Sequence, residues 1–254
     1  MSDESTNNIK ESFISHLIEL RTRLVRASVV VLAIFIMLFA IWPGAAAIYD
    51  WLAQPMMAAL PEGSKMIATG VITPFMVPMK VTMMVAFLVS LPWVLYQTWA
   101  FVAPALYLHE KRLIAPLVIS SSVLFIVGVA FCYFFVFGTV FKFINDFAPK
   151  SISVAPDIEN YLDFVFTMCL AFGLTFEVPV VVVVLVRMGI VTVEKLKAIR
   201  SYVIVGAFVV AAIVTPPDIM SQLFLAIPLC LLYEVGLLVA PLFVKMTKAP
   251  EEGV

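Results

Sequence analysis

The sequence predicts an all-α membrane protein with six transmembrane helices, and three observations support this fold class. Hydrophobic residues make up 63% of the 254 residues, charged residues only 13%, and the mean hydropathy is +1.09. The apolar residues are grouped into long runs, and about 20 apolar residues cross a bilayer as one α-helix. The chain has room for roughly six such runs with short connections, so we expect a single integral membrane domain over residues 1–254. A soluble domain is excluded by this composition.

Six apolar segments are predicted as the transmembrane helices. They cover residues 24–42, 74–98, 113–141, 161–186, 201–214 and 219–240. The fifth segment has a helical length of roughly 21 Å, which is shorter than the ~30 Å hydrocarbon core of a bilayer. We therefore expect two short last helices in a locally thin region of the membrane.

The segment before the first span is predicted to be an amphipathic helix. Phe13, Leu17 and Leu20 recur at helical spacing, and Glu19 and Arg23 fall toward the other face. Glu19 precedes Arg23 by four residues, which is the favourable order for a surface ion pair. Such a pair is one interpretation of Glu19, and a ligand-binding carboxylate is the other.

Two longer connections are predicted to form small cap helices on the outer side. They cover residues 43–73 and 142–160, and the first alternates apolar and turn residues around Trp51 and Pro55. Alternation of this kind is typical of short interfacial helices packed over a bundle.

The distribution of Lys and Arg predicts that both termini are cytoplasmic. With the N-terminus inside, the inner side holds Lys10, Arg21, Arg23, Arg26, Lys111, Arg112, Arg187, Lys195, Lys197, Arg200, Lys245 and Lys248, whereas the outer side holds Lys65, Lys80, Lys142 and Lys150. The acidic, polar start MSDESTNN does not resemble a cleaved signal peptide.

A second carboxylate, Glu110, ends an apolar inner connection that begins at Trp99. The apolar residues predict that this connection lies against the membrane or its own helices. Glu110 and Glu19 both lie at the start of inner-side apolar segments, so they can share one cytoplasmic rim. Carboxylates there suit a guanidinium, which donates two parallel hydrogen bonds. The alternative is an aromatic interface belt in which Glu110 pairs with a nearby cation.

Glu177 lies in the middle of the apolar run 164–186. An ionisable side chain at the centre of a membrane helix costs about 2.5–3.5 kcal/mol, so it normally faces a bundle interior or cavity and marks a functional site. One hypothesis is a docking position for a partner helix. The other is a proton-binding or solute-binding carboxylate of a secondary transporter.

The chain carries no motif of a known enzyme class, so we expect no catalytic residue, no metal and no cofactor. GxSxG, HExxH, Walker A and CxxC patterns are absent from the sequence. Cys132, Cys169 and Cys230 fall in apolar segments, where small apolar packing is the favoured interpretation. Asp218 precedes the sixth span and is predicted as its N-cap.

Four blocks in order resemble the TatC family over about residues 13–241. They are HLIELR at 16–21, YQTWAFVAPALYLHE at 96–110, FEVP at 176–179 and TPPDIMSQ at 215–222. The resemblance implies the multispanning receptor subunit of the twin-arginine protein translocase in the bacterial cytoplasmic membrane. Members of this family bind paired-arginine signal peptides of folded proteins and work with the single-span TatA and TatB subunits. Proton-motive force drives export in this family.

The resemblance also implies roles for individual residues. The signal-peptide site would contain Glu19, Glu110, Arg21, Phe101 and Leu106. Glu177, Thr215 and Gln222 would face the groove where partner spans dock, and Pro55 and Asp218 would belong to the outer caps and turns. A homo-oligomer within a larger complex is implied, and no nucleic acid is expected as a partner.

Overall fold

The computed structural model describes residues 2–40, 44–59, 66–102, 114–147, 155–215 and 218–244. The described elements are α1 Ser2–Ala40, α2 Ala45–Ala59, α3 Thr73–Val102, α4 Ile114–Phe131, a π-helical turn Cys132–Val136, α5 Phe137–Phe147, α6 Ile158–Arg187, α7 Val193–Ala198, α8 Arg200–Val214 and α9 Ile219–Val244. Within these ranges the all-helical fold class is confirmed, and the only β pairing is a single bridge between Ile67 and Asp157.

Five of the described helical segments are long and apolar enough to cross a membrane. They are Ile14–Ala40, Thr73–Val102, Ile114–Ile144, Ile158–Arg187 and Ile219–Leu242. The predicted segment 201–214 forms the shorter helix α8, which has 15 residues. The expectation of two short last helices is wrong for the second of them, because α9 runs for 26 residues. Pro241 removes only one helical hydrogen bond, so the helix continues through it to Val244.

The chain divides into two compact units, and the first contains residues 1–48 and 79–122. In this unit α1 and the second half of α3 run antiparallel, because His16 contacts Phe101 whereas the Arg26 carbonyl accepts a hydrogen bond from Trp93. α1 begins well before the predicted span at residue 24, since the amphipathic segment and the apolar span form one continuous helix. No side chain between Ile14 and Ala40 is buried, which leaves an apolar helix surface suited to lipid or to a partner.

The second unit contains residues 49–78 and 123–254, and α6 is its central helix. α6 begins at an Asp157 N-cap, whose Oδ1 accepts hydrogen bonds from the backbone N–H groups of Glu159 and Asn160. α9 packs closely along it: a Cβ added to Gly236 would lie 3.0 Å from Cβ of Val182. Since a side chain there would collide with α6, glycine allows this close approach.

α4 and α5 pack antiparallel to α6 through a series of aromatic contacts in the same unit. The ring of Phe131 contacts Phe172 at a centroid distance of 5.8 Å, and Phe141 contacts Tyr161 at 5.6 Å. Near the start of this interface, a Cβ added to Gly128 would lie 2.6 Å from the backbone oxygen of Phe172. The two helices therefore approach closely where residue 128 has no side chain.

Candidate functional site

Five side chains on α1 and α3 form a cluster within the first unit, which we call the rim cluster. They are His16, Glu19 and Arg23 on α1 and Gln97 and Phe101 on α3. The α1 residues are spaced by three and four positions, and the α3 residues by four, so each set lies on one helix face. The structure therefore brings two of the predicted signal-peptide residues, Glu19 and Phe101, to the same helix pair.

Glu19 binds a guanidinium of the chain itself. Arg23 donates to Glu19 Oε1 from Nε at 2.9 Å and from Nη2 at 2.6 Å, while its Nη1 lies 3.5 Å from Gln97 Oε1. Gln97 is only 4% exposed, so its amide provides a fixed polar group beneath the ion pair. The Glu19–Arg23 ion pair was one of the two predicted interpretations of Glu19. Its geometry also shows that the carboxylate can bind an arginine.

Phe101 contributes a flat apolar surface next to this carboxylate. Its ring stacks on His16, with centroids 4.3 Å apart and an angle of 20° between the planes. Stacking of this kind holds both rings in one orientation. The cluster therefore combines an acidic group with an apolar platform, which is the chemistry that a basic and then apolar peptide needs.

The other predicted signal-peptide residues lie elsewhere. Arg21 is exposed and follows Glu19 by two positions, so it lies on a different face of α1 from the rim cluster. Glu110 and Leu106 lie outside the residues that the structure describes.

Glu177 is buried in the second unit, with 7% of its surface exposed, and both carboxylate oxygens are inaccessible to solvent. Its neighbour Val178 packs against a core cluster that contains Val182 and Tyr233. A Cβ added to Gly236 would lie 3.1 Å from Cα of Pro179, which places Glu177, two residues earlier on α6, near the level of Tyr233 of α9.

Thr215 and Gln222 lie together at the α8–α9 turn. The Thr215 hydroxyl donates to the Ala211 carbonyl at 2.8 Å, and Gln222 Nε2 donates to the Phe208 carbonyl at 3.3 Å. Asp218 Oδ1 accepts from the Ser221 N–H at 2.7 Å, in the geometry of an N-cap for α9. Gln222 thus joins the start of α9 to α8, whereas Thr215 and Asp218 bond within the ends of their own helices.

Glu177 and Gln222 do not share one contact site. Gln222 precedes Tyr233 by eleven residues, about 16 Å along a helix axis, and Tyr233 is level with Glu177. The three residues assigned to partner docking therefore form two separate positions on the second unit.

Polar contacts join α7 and α8 to α9, and their residues were not among the predicted sites. Arg200 meets Glu234 through two contacts, Nε to Oε1 at 2.6 Å and Nη2 to Oε2 at 2.8 Å, and the Tyr233 hydroxyl donates to the Leu196 carbonyl at 2.9 Å. The sequence separation of Arg200 and Glu234 gave no signal for this pair, since only the packing of α8 on α9 brings them together.

Within the described residues no group of three or more His, Cys, Asp or Glu side chains could hold a metal ion. Cys132 and Cys169 are buried free thiols, and Cys230 is a partly buried free thiol.

Comparison with known proteins gives concordant results. The family described as Sec-independent protein translocase protein (TatC) matches residues 15–228. A protein of that name from Haemophilus influenzae is 49% identical over 236 residues, which cover 92% of this chain and 91% of the relative. Another from Escherichia coli K12 is 47% identical over 252 residues, which cover 99% of this chain and 95% of the relative. A crystal structure described as the twin arginine translocase receptor TatC superposes with a TM-score of 0.77 at 37% identity, covering 89% of this chain and 98% of that one.

Proposed function

Because the chain belongs to the TatC family of Sec-independent protein translocase components, we propose that it is the receptor and core subunit of a twin-arginine translocase. In this proposal it spans the bacterial cytoplasmic membrane six times with both termini in the cytoplasm. It binds paired-arginine signal peptides of folded proteins at its cytoplasmic face. It then docks the spans of TatB and TatA subunits, as part of a larger complex with further copies of itself, for export driven by the proton-motive force.

The observation that carries the peptide-binding part is the guanidinium held by Glu19. The two bonds from Arg23 converge on Oε1, so Oε2 lies outside this ion pair. A second guanidinium can therefore approach Oε2 without first breaking the existing pair. Glu110 would complete the acidic part of the site, Arg21 would lie beside it on the neighbouring face of α1, and Phe101 and Leu106 would contact the apolar part of the peptide.

Two positions on the second unit support docking of partner spans. Val205, Val209 and Ile213 expose an apolar stripe along α8, and Gln222 of α9 bonds the carbonyl of Phe208, the residue before Val209. We assign this surface and Thr215 to one partner helix. Glu177 is covered by side chains of the chain itself, so a partner helix that reaches its carboxyl must displace some of them.

The transporter hypothesis for Glu177 is not supported by the relatives. Those quoted above are named as protein translocase components, and none of their names describes solute transport. We therefore interpret the buried carboxyl as part of helix docking, where a polar side chain on the partner would form a hydrogen bond with it.

Site-specific photo-crosslinking tests the proposal directly. A photoreactive residue at position 16 or 101 should crosslink to a membrane-bound peptide that carries Arg-Arg followed by an apolar stretch, and a Lys-Lys peptide should crosslink less. Position 18 is a matched control, because Ile18 is exposed but lies on another face of α1. Equal crosslinking at positions 16 and 18 would argue against the rim cluster as the receptor site.

A further inference from the structure

Pro55 lies inside α2, where it leaves a backbone carbonyl without its helical donor. In an α-helix the N–H of residue 55 would donate to the carbonyl of Trp51, four residues earlier, but proline has no N–H. Trp51 is 54% exposed, but the next two residues, Leu52 and Ala53, are buried, so one side of this part of α2 faces protein. A carbonyl on that side can take its donor from elsewhere in the chain.

The hydroxyl of Tyr133 supplies that donor. It donates to the Trp51 carbonyl at 2.8 Å, and the two aromatic rings stack with centroids 5.1 Å apart and an angle of 16°. Tyr133 belongs to the π-helical turn between α4 and α5, in which the Phe137 N–H bonds the Cys132 carbonyl five residues earlier. A π turn changes the direction of the side chains within a helix, and such turns are frequent at functional positions.

A second tyrosine binds the neighbouring carbonyl. Tyr161, in the first turn of α6, donates from its hydroxyl to the Leu52 carbonyl at 3.1 Å. Tyr133 and Tyr161 are both buried, unlike tyrosines of an interfacial aromatic belt, whose hydroxyls face water. Two hydroxyls from two different helices thus hold two consecutive carbonyls of α2.

We propose that Tyr133 and Tyr161 are positioning residues that fix α2 on the second unit through the carbonyls one turn before Pro55. Proline at position 55 has a positive role here, because it removes the N–H that would otherwise compete with Tyr133 for the Trp51 carbonyl. Export requires α2 to be fixed in this way, an inference that rests on the proposed function.

The bonds from Tyr133 and Tyr161 to the two carbonyls of α2 are called the clamp below. Amide hydrogen exchange of the full chain in lipid nanodiscs tests it. Tyr133→Phe should speed exchange in the α2 segment about tenfold, because the bond to the Trp51 carbonyl is lost. In a Pro55→Ala background the same change should alter exchange less than about twofold, since the new N–H of residue 55 bonds that carbonyl. Tyr202→Phe is the matched control, because Tyr202 is 79% exposed and should change nothing in α2.

Two results would overturn the clamp: no acceleration with Tyr133→Phe, or the same acceleration in both backgrounds. Should Pro55→Ala prevent folding, Tyr161→Phe serves as the second variant and should also speed exchange in α2, whereas unchanged exchange would contradict the proposal.

Export of a reporter with a paired-arginine leader tests the positioning role. Tyr133→Phe should lower export severalfold while crosslinking of the peptide to position 101 stays at the wild-type level. Faster exchange with unchanged export would overturn the positioning role. If the wild-type chain itself shows no peptide crosslinking, the proposed function fails and the exchange results still decide the clamp.

Discussion

Arg23 donates two hydrogen bonds to a single carboxylate oxygen of Glu19, at 2.9 and 2.6 Å. Their side chains are 22% and 35% exposed, so water screens the pair and its free energy is in the range of surface ion pairs, below about 1 kcal/mol. An incoming arginine can therefore share or displace Arg23 at small cost. The pair holds the Glu19 carboxylate in one position on α1.

Replacing Arg23 tests whether it competes with the ligand. Arg23→Gln should raise the affinity for a paired-arginine peptide about two- to fivefold, because an incoming guanidinium can then bond both oxygens of Glu19 and not Oε2 alone. The measurement is a binding titration with the chain in nanodiscs, and Arg26→Gln on the same helix is the control. A loss of affinity as large as that of Glu19→Ala would mean that Arg23 itself contacts the peptide.

Glu177 is predicted to act in partner docking and not in peptide recognition. Glu177→Ala should leave paired-arginine peptide binding within about twofold of wild type, because the residue lies outside the rim cluster, whereas crosslinking to a partner span and export should fall strongly. Glu194→Ala, an exposed acid on α7, is the control. Equal loss of peptide binding and partner crosslinking would argue against two separate sites.

Asp157 links the loop before α3 to the start of α6 and is expected to make this link sensitive to acid. Its Oδ2 accepts from the Thr69 hydroxyl at 2.7 Å and from the Thr69 N–H at 3.1 Å. The Thr69 hydroxyl bond, with the backbone bonds from Asn160 and Glu159, lowers the pKa of Asp157 below its ordinary value.

A lowered pKa means that the ionised carboxylate stabilises the folded state above the unfolded pKa, about 3.9, and that this contribution is lost as pH falls through the folded pKa. Exchange of the first-turn amides of α6 should therefore show constant protection from pH 7 to 5, after correction for intrinsic rates, and less below about pH 4. Asp157→Asn should remove this dependence. An identical pH profile in the variant would contradict the role of Asp157.

The glycines of the second unit should differ sharply in their tolerance of alanine. At Gly128 a new Cβ would meet the Phe172 backbone oxygen at 2.6 Å, so Gly128→Ala should destabilise by roughly 1–3 kcal/mol. A Cβ added to Gly206 in α8 would have no neighbouring atom within 4 Å, so Gly206→Ala should be neutral or stabilising by up to about 1 kcal/mol. Thermal unfolding in detergent measures both, and equal shifts would show that α4 and α6 do not approach closely at residue 128.

The apolar runs were sufficient to locate the long helices, because crossing a bilayer requires about 20 apolar residues whatever they contact. Local pattern also gave a helix before the first span and the ion pair of Glu19 with Arg23. It did not indicate Gln97, which became part of the site only because α3 packs antiparallel to α1.

The sequence also did not give the relative positions of residues along packed helices. Glu177 and Gln222 were assigned to one groove, and the sequence could not give their separation of about 16 Å along α9, which depends on the register of α6 on α9. The π-helical turn that directs Tyr133 toward α2 also has no local sequence signal, since its five residues are apolar or aromatic like their neighbours.

The most direct test of the receptor role is the preference for arginine over lysine measured with and without the Glu19 carboxylate. Titrations of Arg-Arg and Lys-Lys peptides, otherwise identical, should show about tenfold tighter binding of the Arg-Arg peptide to the wild-type chain, because a guanidinium donates two parallel bonds to a carboxylate. Glu19→Gln should reduce this preference to less than about threefold. A preference that survives Glu19→Gln unchanged would contradict the assignment of the rim cluster as the paired-arginine site.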